Sequence, residues 1–273
     1  MFNTLTIDVE DYFMVSAFAD TISFDDWDRY ECRVEMNTYR ILELLAEQNV
    51  KATFFILGWV GERCPNLVKD IHSSGHEVAS HGYNHRLIYD LTPDEFRDDV
   101  KRSRDILENL TGTAVKGFRA TSYSIVKETL WALDILIEEG FLYDSSIFPI
   151  HHDRYGIPDA ERFQNRIERD GGSIHEFPLT TFRVAHVNFP VAGGGYLRLL
   201  PLWIIKAALK RINQKDLQPA VIYLHPWEVD TAQPRLNGSR LSQFRHYVNI
   251  SSTLPKLRSL LSEFSFKPLS DFL

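Results

Sequence analysis

Residues 51–82 read KATFFILGWVGERCPNLVKDIHSSGHEVASHG, and this stretch decides the fold class. ATFFIL, at 52–57, is a continuous apolar run of strand length, the pattern of a strand buried on both faces. Residues 61–74 carry helical spacing, and Gly75 stands where a helix C-cap belongs. Residues 77–80 open a second strand that runs into His81. Strand, helix and strand in one stretch make a βαβ unit, the building block of a parallel sheet.

The same alternation extends in both directions. NTLTID at 3–8 is a strand, and residues 36–48 place Tyr39, Leu42, Leu45 and Ala46 on one helical side. The next helix has the sharpest punctuation: Thr92 as N-cap, Pro93 at N1, Glu95 closing a capping box, and Gly112 as the stop. Between them Phe96, Val100, Ser103, Leu107 and Leu110 form a stripe. Residues 115–119 give a strand, 127–139 a helix, 141–144 and 174–177 weaker strands, 202–215 a helix, AVIYLH at 220–225 a buried strand, and 253–264 a last helix. About seven βα units predict an α/β fold, a single-domain, distorted (β/α)7-type barrel. It would carry a long loop insertion within 143–181. A C-terminal extension, roughly residues 145–273, would include the strand bearing His225.

The chain has 273 residues, 44% hydrophobic and 25% charged, which suits a globular domain rather than a disordered one. A net charge of -7 argues against nucleic acid as a partner. No apolar run is long enough to span a bilayer. MFNTLTIDVED lacks the basic start of a signal peptide, so a cytoplasmic enzyme is expected. Cys32 and Cys64 form no CxxC pair and are expected to be reduced. Oligomeric state has no signature here.

Polar residues cluster just past the strand ends: Asp8, His81, Arg119, Asp144 and His225, as on the C-terminal rim of a barrel. His81 and His85, in SHGYNH, have the spacing of two metal ligands on one helical turn. Spacing alone is weak, since His72 and His76 share it in an ordinary segment. In TIDVED, Asp8 and Glu10 fall on one side of a strand, with Asp11 beside them. Taken singly, each has an ordinary explanation: a solvated strand end, a surface arginine, a core histidine, a turn aspartate. Together, two His and a carboxylate leave open positions on a metal, a further carboxylate can take a proton, and a separate His can protonate a leaving amine.

The ordered motifs TID, SHGYNH, GFRATSYSI, YDSSIFP and VIYLHPWE resemble the polysaccharide deacetylases of the NodB-homology, carbohydrate esterase 4 type. More narrowly, with HDRYGIP and GGGYLRLLP, the chain is similar to the branch found in exopolysaccharide loci of bacteria with PEP-CTERM/exosortase sorting systems. The resemblance implies a metal-dependent hydrolase that removes acetyl groups from the N-acetylated sugars of an exopolysaccharide or its precursor. It makes Asp8 the general base, Arg119 its orienting arginine, and His81 and His85 metal ligands. His225 becomes the general acid and Asp144 the carboxylate that tunes it. The implied metal is divalent, with Zn²⁺ the expected ion. Val9 departs from the family's metal aspartate, which points to Glu10 as the third ligand with Asp11 as the alternative. Thr121 replaces a proline, and Ile222 replaces a leucine expected to line the acetyl-methyl pocket. A backbone N–H within 121–123 is the expected oxyanion donor. Tyr123 and Trp227 are expected to bind the sugar, with Tyr83, Phe148 and Tyr155 as further stacking aromatics. Gly193–Gly195 would let the chain approach a ligand closely. An amidase of the same fold acting on a small non-sugar amide, an O-acetyl esterase, and a catalytically silent carbohydrate-binding protein remain open.

Overall fold

A computed structural model describes residues 1–191 and 193–273. In chain order its strands are β1 (Phe2–Val9), β2 (Thr53–Ile56), β3 (Glu77–Ser80), β4 (Gly117–Phe118), β5 (Tyr143–Asp144), β6 (Asn165–Arg169), β7 (Gly172–Glu176), β8 (Thr181–Val184), β9 (Val187–Pro190), β10 (Val221–Leu224) and β11 (Ser265–Phe266). The α-helices are α1 (Val34–Glu47), α2 (Gly58–Arg63), α3 (Pro65–Ser73), α4 (Pro93–Thr111), α5 (Trp131–Glu138), α6 (Gly194–Leu199), α7 (Leu202–Arg211), α8 (Arg240–Tyr247) and α9 (Thr253–Leu261).

The sheet runs β10-β1-β2-β3-β4-β5-β7-β6. Every neighbouring pair from β10 to β7 is parallel, and β6 pairs antiparallel with β7 at the edge. This is the distorted barrel expected. The ladder does not close; the chain leaving β7 bridges the gap, where Val221 N–H donates to Thr180 Oγ1 at 2.6 Å. The alternation of β1 explains how the wall has two faces. Leu5, Ile7 and Val9 pack into the main apolar core, while Thr6 and Asp8 share the side chain of Arg119 inside the barrel. A second apolar cluster, with Phe55, Ala79, Tyr143, Phe177 and Tyr223, fills that interior.

Helix punctuation follows local chemistry. Thr92 and Glu95 exchange the two bonds of a capping box, and Gly112 ends α4 at φ 68°. The single helix expected over 61–74 is two, α2 and α3. Pro65 lacks the N–H that a continuous helix needs, so a new helix starts there instead. The insertion expected within 143–181 contributes sheet as well as loop: it holds β6 and β7, and β7 is one of the parallel strands. The hairpin β8–β9 and helices α6 and α8 lie where no element was expected. Among the described residues no helix is long and apolar enough to cross a membrane.

Candidate active site

The C-terminal ends of β1, β3, β4 and β10 bring Asp8, Glu10, His81, His85, Tyr123 and His225 to one cavity of about 410 Å³. Glu10, His81 and His85 offer ligand atoms that all lie within 4.8 Å of one another. His85 Nε2 lies 2.6 Å from Glu10 Oε2, yet that buried oxygen has no hydrogen-bond partner. Two buried ligand atoms thus converge without the alignment of a hydrogen bond, an arrangement that a cation between them satisfies. His81 Nδ1 lies 2.8 Å from the Arg119 carbonyl oxygen, so Nδ1 carries the proton and Nε2 keeps a free lone pair. Burial lowers the His81 pKa to about 4, which keeps the ring neutral as a ligand must be. Burial would raise the Glu10 carboxyl, but facing His85 and His225 hold it below the usual carboxylate range. The donor set therefore fits a divalent metal.

The two histidines reach this point by a route other than a helical turn. They sit on the loop after β3, where Gly82 (φ 74°) and His85 (φ 58°) both adopt left-handed backbone. For histidine that conformation is strained, and the loop's neighbours hold it: Tyr83 N–H donates to Asp99 Oδ2 at 2.9 Å. Asp11, the alternative acid ligand, is turned elsewhere. Its carboxylate accepts from the backbone N–H groups of Tyr12, Arg33 and Val34 at 2.8, 2.5 and 2.8 Å, capping the start of α1.

Asp8 is 2% exposed and Arg119 is fully buried. Arg119 Nη1 donates to Asp8 Oδ1 at 2.7 Å and to Thr6 Oγ1 at 2.6 Å. Its other nitrogens donate to the Ser145 carbonyl at 2.9 Å and to Ser145 Oγ at 2.7 Å. The remaining Asp8 oxygen accepts from the Tyr123 hydroxyl at 3.3 Å. His225 Nε2 lies 3.9 Å from Asp8 Oδ2 and 3.6 Å from Glu10 Oε1, on the same side of the cavity floor. Burial alone would lower the His225 pKa, but the Glu10, Glu228 and Asp8 carboxylates push it up to about 9.

The carboxylate that meets His225 is Glu228, not Asp144. His225 Nδ1 lies 2.6 Å from Glu228 Oε1, three residues along the same turn. Asp144 is enclosed at the end of β5, accepting from Ser146 Oγ at 2.5 Å beside the buried Glu176. Burial raises both of those carboxyls, so the pair is suited to share a proton rather than to stabilise an imidazolium. HPWE contained the signal for Glu228, since a 3₁₀ turn after Pro226 brings residues 225 and 228 together.

Trp227 is no sugar platform. His225 stacks on one side (5.2 Å, 16°) and His246 stacks closely at 4.1 Å and 13°, leaving the indole 4% exposed. Its N–H instead donates to Glu10 Oε1 at 3.1 Å. Tyr83 also points away from the cavity, its hydroxyl on Glu62 and its ring under Arg102. Phe148 is buried against Tyr155. Tyr196 lies on the cavity wall, and Tyr155 beside it lines the same wall with His152 stacked on its ring at 3.8 Å and 11°. Ile222 faces the helices, and its neighbour Tyr223 lines the cavity. The close approach that Gly193 allows is to Tyr223, whose carbonyl oxygen would sit 2.3 Å from an added Cβ. Of the backbone N–H groups expected as oxyanion donors within 121–123, that of Tyr123 is already committed to the Ala120 carbonyl, and Ser122 lines the cavity.

Comparison with known proteins assigns the two parts of the chain differently. Residues 19–136 match the family model described as polysaccharide deacetylase, and residues 145–273 match a domain of unknown function. A peptidoglycan-N-acetylglucosamine deacetylase of Bacillus cereus is 37% identical over 114 residues, 41% of this chain and 40% of that protein. The chain thus spans less than half of that relative's length. A Mycobacterium smegmatis structure assigned as a polysaccharide deacetylase has a TM-score of 0.61 at 20% identity, covering 99% of this chain and 88% of that one. A carbohydrate esterase 4 pseudoenzyme from Bacillus anthracis has a TM-score of 0.51 at 17% identity, covering 99% and 64%. The fold is therefore shared by a protein named as a pseudoenzyme, and activity must be argued from the side chains.

Proposed function

We propose that this chain, whose residues 19–136 match the polysaccharide deacetylase model, is a member of that family and hydrolyses the acetamide of N-acetylated sugar residues, using a divalent metal held by Glu10, His81 and His85. One observation carries the reading: the Glu10, His81 and His85 cluster, a carboxylate clamped by a buried arginine, and a histidine with its own carboxylate meet at one cavity floor. Zn²⁺ is the metal we favour, since three ligands of this type leave a position for water.

A bound metal would supply Lewis acidity, lowering the pKa of the attacking water toward about 7. Asp8 receives that water's proton. Its bonds to Arg119 and Tyr123 hold the carboxylate in place and direct the accepting oxygen toward the cavity. Ser122 offers a backbone donor to the oxygen that gains charge. His225 carries a proton on Nε2 and hands it to the departing nitrogen, because an amine does not leave as the anion. Glu228 on Nδ1 keeps the imidazolium oriented with Nε2 toward the reacting centre. Tyr155 and Tyr196 flank the space where a sugar ring would lie.

The motif set and the 145–273 extension support membership of the branch found in exopolysaccharide loci of bacteria with PEP-CTERM/exosortase sorting systems. On that reading the substrate is an exopolysaccharide or its precursor, met in the cytoplasm. The test is acetate release from N-acetylated chitooligosaccharides, run beside O-acetylated sugars and a panel of small amides, before and after chelation and Zn²⁺ return. Release from the oligosaccharides that chelation abolishes and Zn²⁺ restores is the expected result. Turnover of the small amides alone would replace this reading with an amidase, and silence on every substrate would leave a carbohydrate-binding protein.

A further inference from the structure

The supports of His225 lie in the region matched only by a domain of unknown function, and they form one connected set. Arg198 on α6 is 2% exposed, and every guanidinium nitrogen has a partner. Nε donates to Glu228 Oε2 at 2.6 Å. Nη1 donates to the carbonyls of His246 and Val248 at 2.6 and 3.1 Å, and Nη2 to that of Arg245 at 3.0 Å. Those carbonyls belong to the last turn of α8 and the residue after it, where a helix leaves its acceptors unsatisfied. The other Glu228 oxygen accepts from His225 Nδ1 at 2.6 Å and from the His225 backbone N–H at 3.1 Å.

We infer that Arg198 and Glu228 are positioning residues that hold His225 ready to deliver its proton, an assignment that rests on reading His225 as the acid. Glu228 fixes rotation of the imidazole in its own plane by binding Nδ1. Trp227, stacked at 16°, fixes the tilt of that plane. Arg198 keeps Glu228 a carboxylate and immobile, and the same guanidinium ties down Arg245 and His246, which line the cavity. One side chain therefore links the acid to the wall against which the substrate lies. A lysine would supply point charge without the fork that reaches carboxylate and carbonyls together. This gives the 145–273 region a role: it builds the proton-donating half of a site whose metal-binding half lies in residues 1–119.

The experiment compares Glu228→Gln and Arg198→Lys on two substrates in Zn²⁺-loaded protein: an N-acetylated chitooligosaccharide, and 4-nitrophenyl acetate, whose leaving group departs without protonation. On the amide, kcat is expected to fall about 100-fold in Glu228→Gln, the scale of misplaced general-acid catalysis, with KM unchanged. Arg198→Lys is expected to lose about tenfold, keeping the charge but not the fork that holds the carboxylate and the carbonyls together. Ester turnover and zinc content stay at wild-type values in both. Equal losses on both substrates would overturn the assignment, because a general structural defect does not distinguish leaving groups. Glu228→Gln preserves volume and stays readable if Arg198→Lys fails to fold. Should the wild type release no acetate at all, the deacetylase reading falls, and the positioning claim is judged by the proton resonance of His225 Nδ1–H, identified by its loss in His225→Gln. Displacement of that resonance in both variants supports the claim; an unmoved resonance in both contradicts it.

Discussion

The two halves of the cavity floor are built by opposite means. Asp8, Glu10, His81 and Arg119 stand on or directly after regular parallel strands, placed by the ends of β1, β3 and β4. His225 alone among the residues of the other half leaves a strand; its supports come from a 3₁₀ turn, a six-residue helix and the C-terminal end of α8. The first half is positioned by backbone ladder and the second by side-chain contact. A site assembled by ladder tolerates change in its surroundings, whereas one assembled by side chains transmits any change to the acid.

The largest effects should fall on the ladder-built half. His81→Ala or Glu10→Ala removes a ligand and should lower acetate release by about 10³-fold, the scale of several kcal/mol of metal assistance, with stoichiometric zinc lost in elemental analysis. Retained zinc in both variants would break the assignment of that half. Asp8→Asn should retain zinc and still lose about 10²- to 10⁴-fold in kcat, the range of general-base contributions. Next comes Trp227→Phe, which keeps a ring between His225 and His246 but deletes the donor to Glu10. Competition with a chelator should show zinc held about tenfold more weakly, as for outer-shell partners of metal ligands.

How much of this was legible in the sequence follows the same division. The alternation of TLTIDV, the apolar run ATFFIL and the punctuation of α4 are local signals, and they place β1, β2 and α4 with Asp8 and Glu10 on one side. The motif order supplied His81, His85, Arg119 and His225. Two sites were misread and a third was missed, because tertiary contacts decide them. Asp144 stands at a strand end like the other rim residues, but Ser146 and Glu176 close over it. Trp227 looks like a stacking platform until His225 and His246 cover it. Arg198 sits in GGGYLRLLP with no periodicity to mark it, and its role depends on carbonyls about fifty residues further along. The strands β6, β8 and β9 are short and only partly buried, and β8 and β9 leave Val184, Val187 and Phe189 exposed, so no inward apolar alternation announces them.

The smallest expected effects separate neighbours that the sequence could not. Asp144→Asn should leave kcat at the wild-type value, in contrast to the loss expected for Glu228→Gln; a matching loss would return Asp144 to the acid's side. Asp11→Ala should cost about 1 kcal/mol of stability through the lost cap of α1, read as a lower urea midpoint, with zinc content unchanged. Loss of zinc in that variant would make Asp11, rather than Glu10, the acid of the metal site.

Anomalous scattering from a crystal grown with Zn²⁺ tests the central claim most directly. The account predicts one strong peak at about 2.0–2.2 Å from Nε2 of His81, Nε2 of His85 and a carboxylate oxygen of Glu10, the bond lengths of tetrahedral zinc. A peak bound to Asp11, or one away from both histidines, would contradict it.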